Sequence, residues 1–299
     1  MNVYEIVTEQ VIQSLENGIV PWDKPWKAED GSAFPSNYST HNQYRGINVL
    51  LLWLQSMRYS TPYWLTFRQA LNMGGNVRKG EKGTLIVFYK QMDEDKTKEP
   101  SEDNERRRFV LRYSTVFNIA QCEGLPEPPA VASMPESNPI ERCEKIVYGW
   151  ENRPRLELDN PAQTEAAYRR KTDTISMPVL KRFVEPEHYY ATLFHEMVHA
   201  TGHASRLNRE MGEKFGDEKY SREELVAEMG SAFLCAIAAI ENQHIERNTA
   251  AYIQHWITAL KGDSRLVVNA ASQAQRAVDL ILGAQPKAEQ EEAAVQAAA

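Results

Sequence analysis

The run His195, Glu196, Met197, Val198, His199 constrains this chain more than any other stretch. Two imidazoles four residues apart stand one turn above each other on a helix face, so both can reach one metal ion. Glu196, between them, is placed to act on a water at that ion. The surroundings also read as helix. Pro186 suits a first turn, Leu193, Phe194, Met197 and Val198 supply an apolar face, and Gly202 suits a C-terminal cap. Burying two histidines and a glutamate on such a helix without a metal would strand costly polar groups.

This is the HExxH pattern of zinc peptidases, which makes Zn²⁺ the expected cofactor; the same donors accept Mn²⁺ or another divalent ion. A catalytic site needs a third protein ligand. Gly202 and His203 invite comparison with the metzincin pattern HExxHxxGxxH, but Ser205 stands where that pattern requires histidine, which excludes the class. A second helix, from Ser221 to Ile240, offers carboxylates instead. Glu224 and Glu228 lie four apart on one face, so one can bind the metal while the other orients a ligand histidine. The helix resembles that of glutamate-type zincins, whose first acid is the ligand, which favours Glu224. Ser221 and Glu224 also fit a capping box, which would occupy Glu224 and leave Glu228 as ligand. Glu196 is expected to serve as general base and then to pass the proton to a leaving amine. Tyr220, Tyr168 and His255 are the candidates for stabilising an oxyanion.

A chain of 299 residues with 42% hydrophobic content can bury a real core, and its length suggests about two domains. The longest uncharged runs, Ile47 to Met57 and Met229 to Ile240, fall short of the roughly 20 apolar residues of a membrane span. The N-terminus carries Glu5 and Glu9 and lacks a secretory pattern, so a cytoplasmic location is expected. Cys122, Cys143 and Cys235 form neither an even set nor a CxxC pair, which points to reduced, structural thiols.

The formal net charge is −7, yet between Val20 and Lys90 nine cations face four carboxylates, and four of the six tryptophans lie there. Rings interleaved with Arg and Lys suit an unpaired nucleic-acid strand, because rings stack on bases and cations neutralise phosphates. Trp53 and Phe67 read as core. Trp22, Lys24, Trp26, Tyr44, Arg45, Arg78, Lys79 and Lys82, on loops or helix ends, read as the single-stranded DNA surface. The turn Arg78 to Gly83 sets glycines beside cations, which lets backbone N–H groups approach phosphates, although it lacks the GKS or GKT of a Walker A loop.

Helices are expected over residues 3–17, 47–57, 140–150, 249–261 and 264–282. Strands are expected over 84–90, 109–119 and 168–177, the last ending at Pro178 as an edge or a terminus and bordering a peptide cleft. The fold class is therefore α+β: a mixed domain with a small antiparallel sheet at 1–125 and a Pro-rich linker at 126–139. A mainly helical metal-site domain with its own small sheet follows at 140–284, and then a low-complexity tail at 285–299. Residues 93–108 are a charged loop tip.

The ordered elements PWxxPW, YRGIN, WLTFRQA, VRKGEKG and VFNIAQ, followed by FHEMVHATGH, SRLNR and REELVAE, resemble those of the ArdC antirestriction proteins of conjugative plasmids. The resemblance covers nearly the whole chain, and the N-terminal elements also occur in some plasmid primases. It implies a single-stranded DNA-binding part joined to a zincin-like metallopeptidase part that protects incoming plasmid DNA from host restriction. Its partners would be single-stranded DNA and a protein substrate drawn from the restriction machinery or from DNA-bound proteins. The alternatives are a DNA-dependent protease of DNA-bound proteins, as in SprT-like repair, and a strand-coating protein whose zinc domain is not catalytic.

Overall fold

Asn2 opens the chain as a helix cap: its side chain accepts from the Glu5 amide at 3.0 Å while the Glu5 carboxylate accepts from the Asn2 amide at 2.8 Å. The helix behind it, α1 (Val3–Glu16), buries Val7, Val11, Ile12 and Leu15 and stops before Gly18 at φ +76°. The computed structural model describes residues 1–23, 34–56, 58–59, 61–91, 109–128, 138–212, 218–241 and 250–284. Lys24, Trp26, the 93–108 tip, most of the Pro-rich stretch and the 285–299 tail lie outside the described residues.

The N-terminal half continues as β1 (Ser36–Asn37), α2 (Ile47–Ser56), β2 (Tyr63–Thr66), α3 (Phe67–Asn72), β3 (Asn76–Val77), β4 (Thr84–Gln91), β5 (Phe109–Asn118) and β6 (Cys122–Glu123). One sheet has the order β1-β2-β5-β4, antiparallel except for the parallel β1–β2 pair, and β3 pairs with β6. The outer edge of β4 is closed by a side chain. Asn48 of α2 donates to the Val87 carbonyl at 2.7 Å and accepts from its amide at 2.8 Å, so a buried amide stands in for a neighbouring strand.

The C-terminal half holds α4 (Pro139–Gly149), β7 (Arg155–Asn160), β8 (Ala167–Arg169), β9 (Thr174–Pro178), α5 (Pro186–Thr201), α6 (Glu218–Ala238), α7 (Ala250–Gly262) and α8 (Leu266–Leu282). The strand expected over 168–177 is in fact the hairpin β8–β9, turning at residues 170–173. β9 is no edge: it lies between β7, parallel to it, and β8, antiparallel, and is buried along its length. The edge is β8. The architecture is α+β, as its composition of helices and small sheets requires.

One hydrophobic core runs through both halves, joining α1 and α2 to α5, α6, α7 and α8. Two motifs read as DNA-facing lie in that joint. Trp22 is fully buried, edge-on to Trp256 at 5.9 Å, and its indole donates to the Tyr252 hydroxyl at 3.1 Å. Tyr44, 8% exposed, instead packs with Leu52, Trp64, Ile86 and Val116 in a smaller cluster inside the N-terminal half, and its hydroxyl accepts from Asn37 at 3.3 Å. Neither ring can stack on a base, because both faces are occupied by protein. Arg45 is ion-paired with Asp279 of α8, and the Gly46 amide donates to Gln275 at 3.0 Å. Arg45 therefore serves the joint rather than a free surface. Thr8 donates to the Ser264 carbonyl at 2.7 Å, a further tie between the halves. Among the described residues no helix is long and apolar enough to cross a membrane.

Candidate metal centre

Two helices build the site. α5 begins at Pro186, whose missing N–H costs nothing in a first turn, and presents His195 and His199 on one face. α6 crosses it at close range because two small residues face it. A Cβ on Gly230 would lie 2.7 Å from a methyl of Val198, and the Ser231 hydroxyl donates to the Ala191 carbonyl at 2.9 Å. That approach brings Glu224 to the histidines.

The Nε2 atoms of His195 and His199 are 3.0 Å apart, and the Glu224 carboxylate lies 3.5 Å from the first and 3.4 Å from the second. Ligand atoms of His195, His199 and Glu224 all fall within 4.8 Å of one another, the donor set of a divalent-metal site. The residues present fit such an ion. α6 starts at Glu218, so Ser221 sits inside the first turn, 7% exposed, and the capping box that would have taken Glu224 does not form. Glu228 is buried one turn further along and stands outside the ligand group, so it is not brought to the metal as the alternative reading required.

One carboxylate that orients a ligand is Glu223, which the pattern of the sequence does not single out. Glu223 lies 3.2 Å from Nδ1 of His199, and Arg209 holds it in a fork with contacts of 2.9 and 2.6 Å. Arg209 completes its bonds on the Thr201 hydroxyl at 2.6 Å and the Val198 carbonyl at 2.8 Å. An acid directly beside Glu224, together with the arginine of SRLNR, was the available signal.

Charge at the site is unbalanced toward the negative. Burial alone would lower the pKa of His199, but the Glu223 hydrogen bond and the charges of Glu224, Glu223 and Glu196 outweigh it and push it up to about 9. Burial acts against ionised Glu224, yet its hydrogen bond to His195 and the charge of His199 carry it down to about 2. Burial, then the neighbouring charge and hydrogen bond of Glu224, raise Tyr220 to about 12, which keeps its hydroxyl protonated beside Glu224. Three carboxylates facing two imidazoles make a site that attracts a cation.

Glu196 accepts from the Tyr168 amide at 2.6 Å, which puts the outer edge of β8 against the HExxH helix. The Tyr168 hydroxyl is engaged elsewhere, donating to Asp173 at 2.8 Å, and Arg206 pairs with the same carboxylate. His255 packs its ring on Trp256 at 5.0 Å, and His203 is tied into a local turn with Ser205. Of the three oxyanion candidates, the structure sets the side chain of Tyr220 at the ligand group.

The remaining strand-binding candidates lie on the turn before β4. Arg78, Lys79 and Lys82 are exposed, with Arg78 held by Glu81 at 2.8 Å. Lys82 and Arg58 line a cleft of about 680 Å³ between this turn and α1, whose wall carries Gln10, Gln13 and Asn17.

The fold and site define a zincin-like metal centre joined through a common core to a mixed α/β half. Residues 155–273 match a zincin-like metallopeptidase family, and residues 1–117 match the N-terminal domain of the anti-restriction factor ArdC. The chain belongs to the ArdC family of antirestriction proteins. It superposes on the Mn(II)-bound crystal structure of the antirestriction ArdC protein from plasmid R388 with a TM-score of 0.76 at 34% identity, covering 96% of this chain and 99% of that one. The metal-free form of the same protein matches with a TM-score of 0.74 at 35% identity, over 99% of each chain. An uncharacterised Sinorhizobium fredii protein, y4eC, is 36% identical over 97% of this chain and 95% of its own. An Escherichia coli DNA primase, TraC, is 36% identical over 96% of this chain, which spans only 20% of that primase.

Proposed function

We infer that this protein is a metal-dependent peptidase that binds single-stranded DNA and protects incoming conjugative plasmid DNA from restriction. One observation supports the peptidase reading most: the Tyr168 amide on the outer edge of β8 and the Glu196 carboxylate meet beside the group His195, His199 and Glu224. A divalent ion held by those three, Zn²⁺ or Mn²⁺, supplies Lewis-acid polarisation of a peptide carbonyl and activation of water.

The chain's own residues do the rest. An extended peptide could pair with the outer edge of β8 by displacing Glu196 from the Tyr168 amide, which would lay the scissile bond beside Glu196. Glu196 takes a proton on its carboxylate and delivers it to the departing amine. The Tyr220 hydroxyl, protonated at neutral pH, donates toward developing negative charge. Glu223 fixes the ring of His199 through Nδ1, with Arg209 fixing Glu223 in turn. Arg78, Lys79, Lys82 and Arg58 serve as phosphate contacts on the N-terminal half.

Glu196→Ala removes the base and leaves all three metal ligands. Conjugation into a restricting recipient, with wild type and variant at equal protein levels, should show protection lost in the variant by at least tenfold in transconjugants. Protection that survives the change would mean hydrolysis plays no part, and would leave strand coating by the N-terminal half as the activity.

A further inference from the structure

Behind the metal centre, α6 and α8 enclose a groove of about 460 Å³ whose floor alone takes part in the proposed chemistry. The wall from α8 is a stripe at helical spacing, Asn269, Ser272, Gln273 and Arg276, whose side chains make no hydrogen bond or ion pair among the described residues. The opposite wall is Lys219 and Arg222 of α6, the first held by Glu210 at 3.0 Å and the second loosely by Asp263 at 3.8 Å. On the floor lie Arg209 and Glu223, bound to each other. Four lining cations therefore meet three carboxylates, Glu210 and Glu223 of the lining and Asp263 beside Arg222, an excess of one positive charge in a chain whose net charge is −7.

The groove does not end in the C-terminal half. A second cavity of about 270 Å³ shares Tyr89, Ser272 and Arg276 with it and runs on to Arg45 and Gly46 of the N-terminal half. Tyr89, 42% exposed, stands where the two meet. Cations spaced along a channel, amides able to read base edges, and one accessible ring at its bend match what an unpaired strand presents: phosphates at the rim and bases that stack.

We propose that single-stranded DNA lies in this channel, so that the peptidase half itself grips the strand through Arg222 and Arg276, against the back of the Arg209–Glu223–His199 chain. The inference rests on the strand-binding reading above and extends it to a half of the molecule for which no such role follows from the zincin fold.

The test is fluorescence anisotropy of a labelled thymidine oligonucleotide across a salt series. Wild type, Arg222→Ala/Arg276→Ala and Lys79→Ala/Lys82→Ala are compared, with circular dichroism confirming the fold of each. The channel variant should bind more weakly, with a log–log salt slope shallower by about 1.4, two contacts at about 0.7 each for single strands. Wild-type binding with an unchanged slope in the channel variant overturns this inference and leaves strand binding to the N-terminal turn. No binding by wild type overturns the strand-binding reading itself, and this inference with it. Displacement of the oligonucleotide by equimolar thymidine monophosphate would assign the channel to a free nucleotide and reject the strand.

Discussion

Glu223 does two things at once: it accepts from His199 on one side and neutralises a fully engaged, buried Arg209 on the other. It is 5% exposed and Arg209 is 9%, so neither charge has water to fall back on. Glu223→Ala would leave the guanidinium buried and unpaired, which costs about 3–5 kcal/mol. The same change frees the ring of His199, and loss of such an orienting carboxylate lowers metal affinity roughly 10–100-fold. Denaturant unfolding and metal titration of this variant should show both effects, whereas a variant that kept full stability and metal affinity would remove Glu223 from the site. At this scale sequence reading separates ligands from neighbours only in part. His195, Glu196 and His199 were legible because a helix fixes their mutual geometry. Glu223 was not, because its partner Arg209 comes from a loop fourteen residues upstream.

Among elements, the crossing of α5 and α6 decides whether a metal site exists. Val198 is β-branched and stiff at χ1, so it cannot turn away from a new methyl on Gly230. Gly230→Ala gains about 1 kcal/mol of helix propensity. It meets an overpacking cost of about 1–3 kcal/mol in a buried contact, so net destabilisation is expected, with metal affinity reduced as Glu224 moves out. Thermal unfolding and metal titration check both; a variant more stable than wild type would show that the helices have slack. The long helices were legible from their apolar period, since each buries a continuous stripe. β7 and the β8–β9 hairpin were not: β7 is exposed or half-buried throughout and shows no clean alternation, and the turn at residues 170–173 carries no glycine or proline.

For the whole molecule, the aromatic-rich and basic N-terminal stretch turned out to do two jobs that composition cannot tell apart. Trp22 and Arg45 fasten the halves together and Tyr44 packs inside the N-terminal half, while Arg78, Lys79 and Lys82 stay on the surface. Arg45 finds Asp279 across 234 residues of chain, a pairing with no local trace in the sequence. Because α1, α2, α5, α6 and α8 share a core, a metal bound by α5 and α6 stabilises the entire fold by mass action. The most direct measurement is thermal unfolding of the metal-free protein with and without excess Zn²⁺, for wild type, Glu224→Ala and Glu228→Ala. Wild type should melt at higher temperature with metal. Glu224→Ala should lose that rise, and Glu228→Ala should keep it from a lower starting point. A rise that persists in Glu224→Ala and vanishes in Glu228→Ala would contradict the site described here.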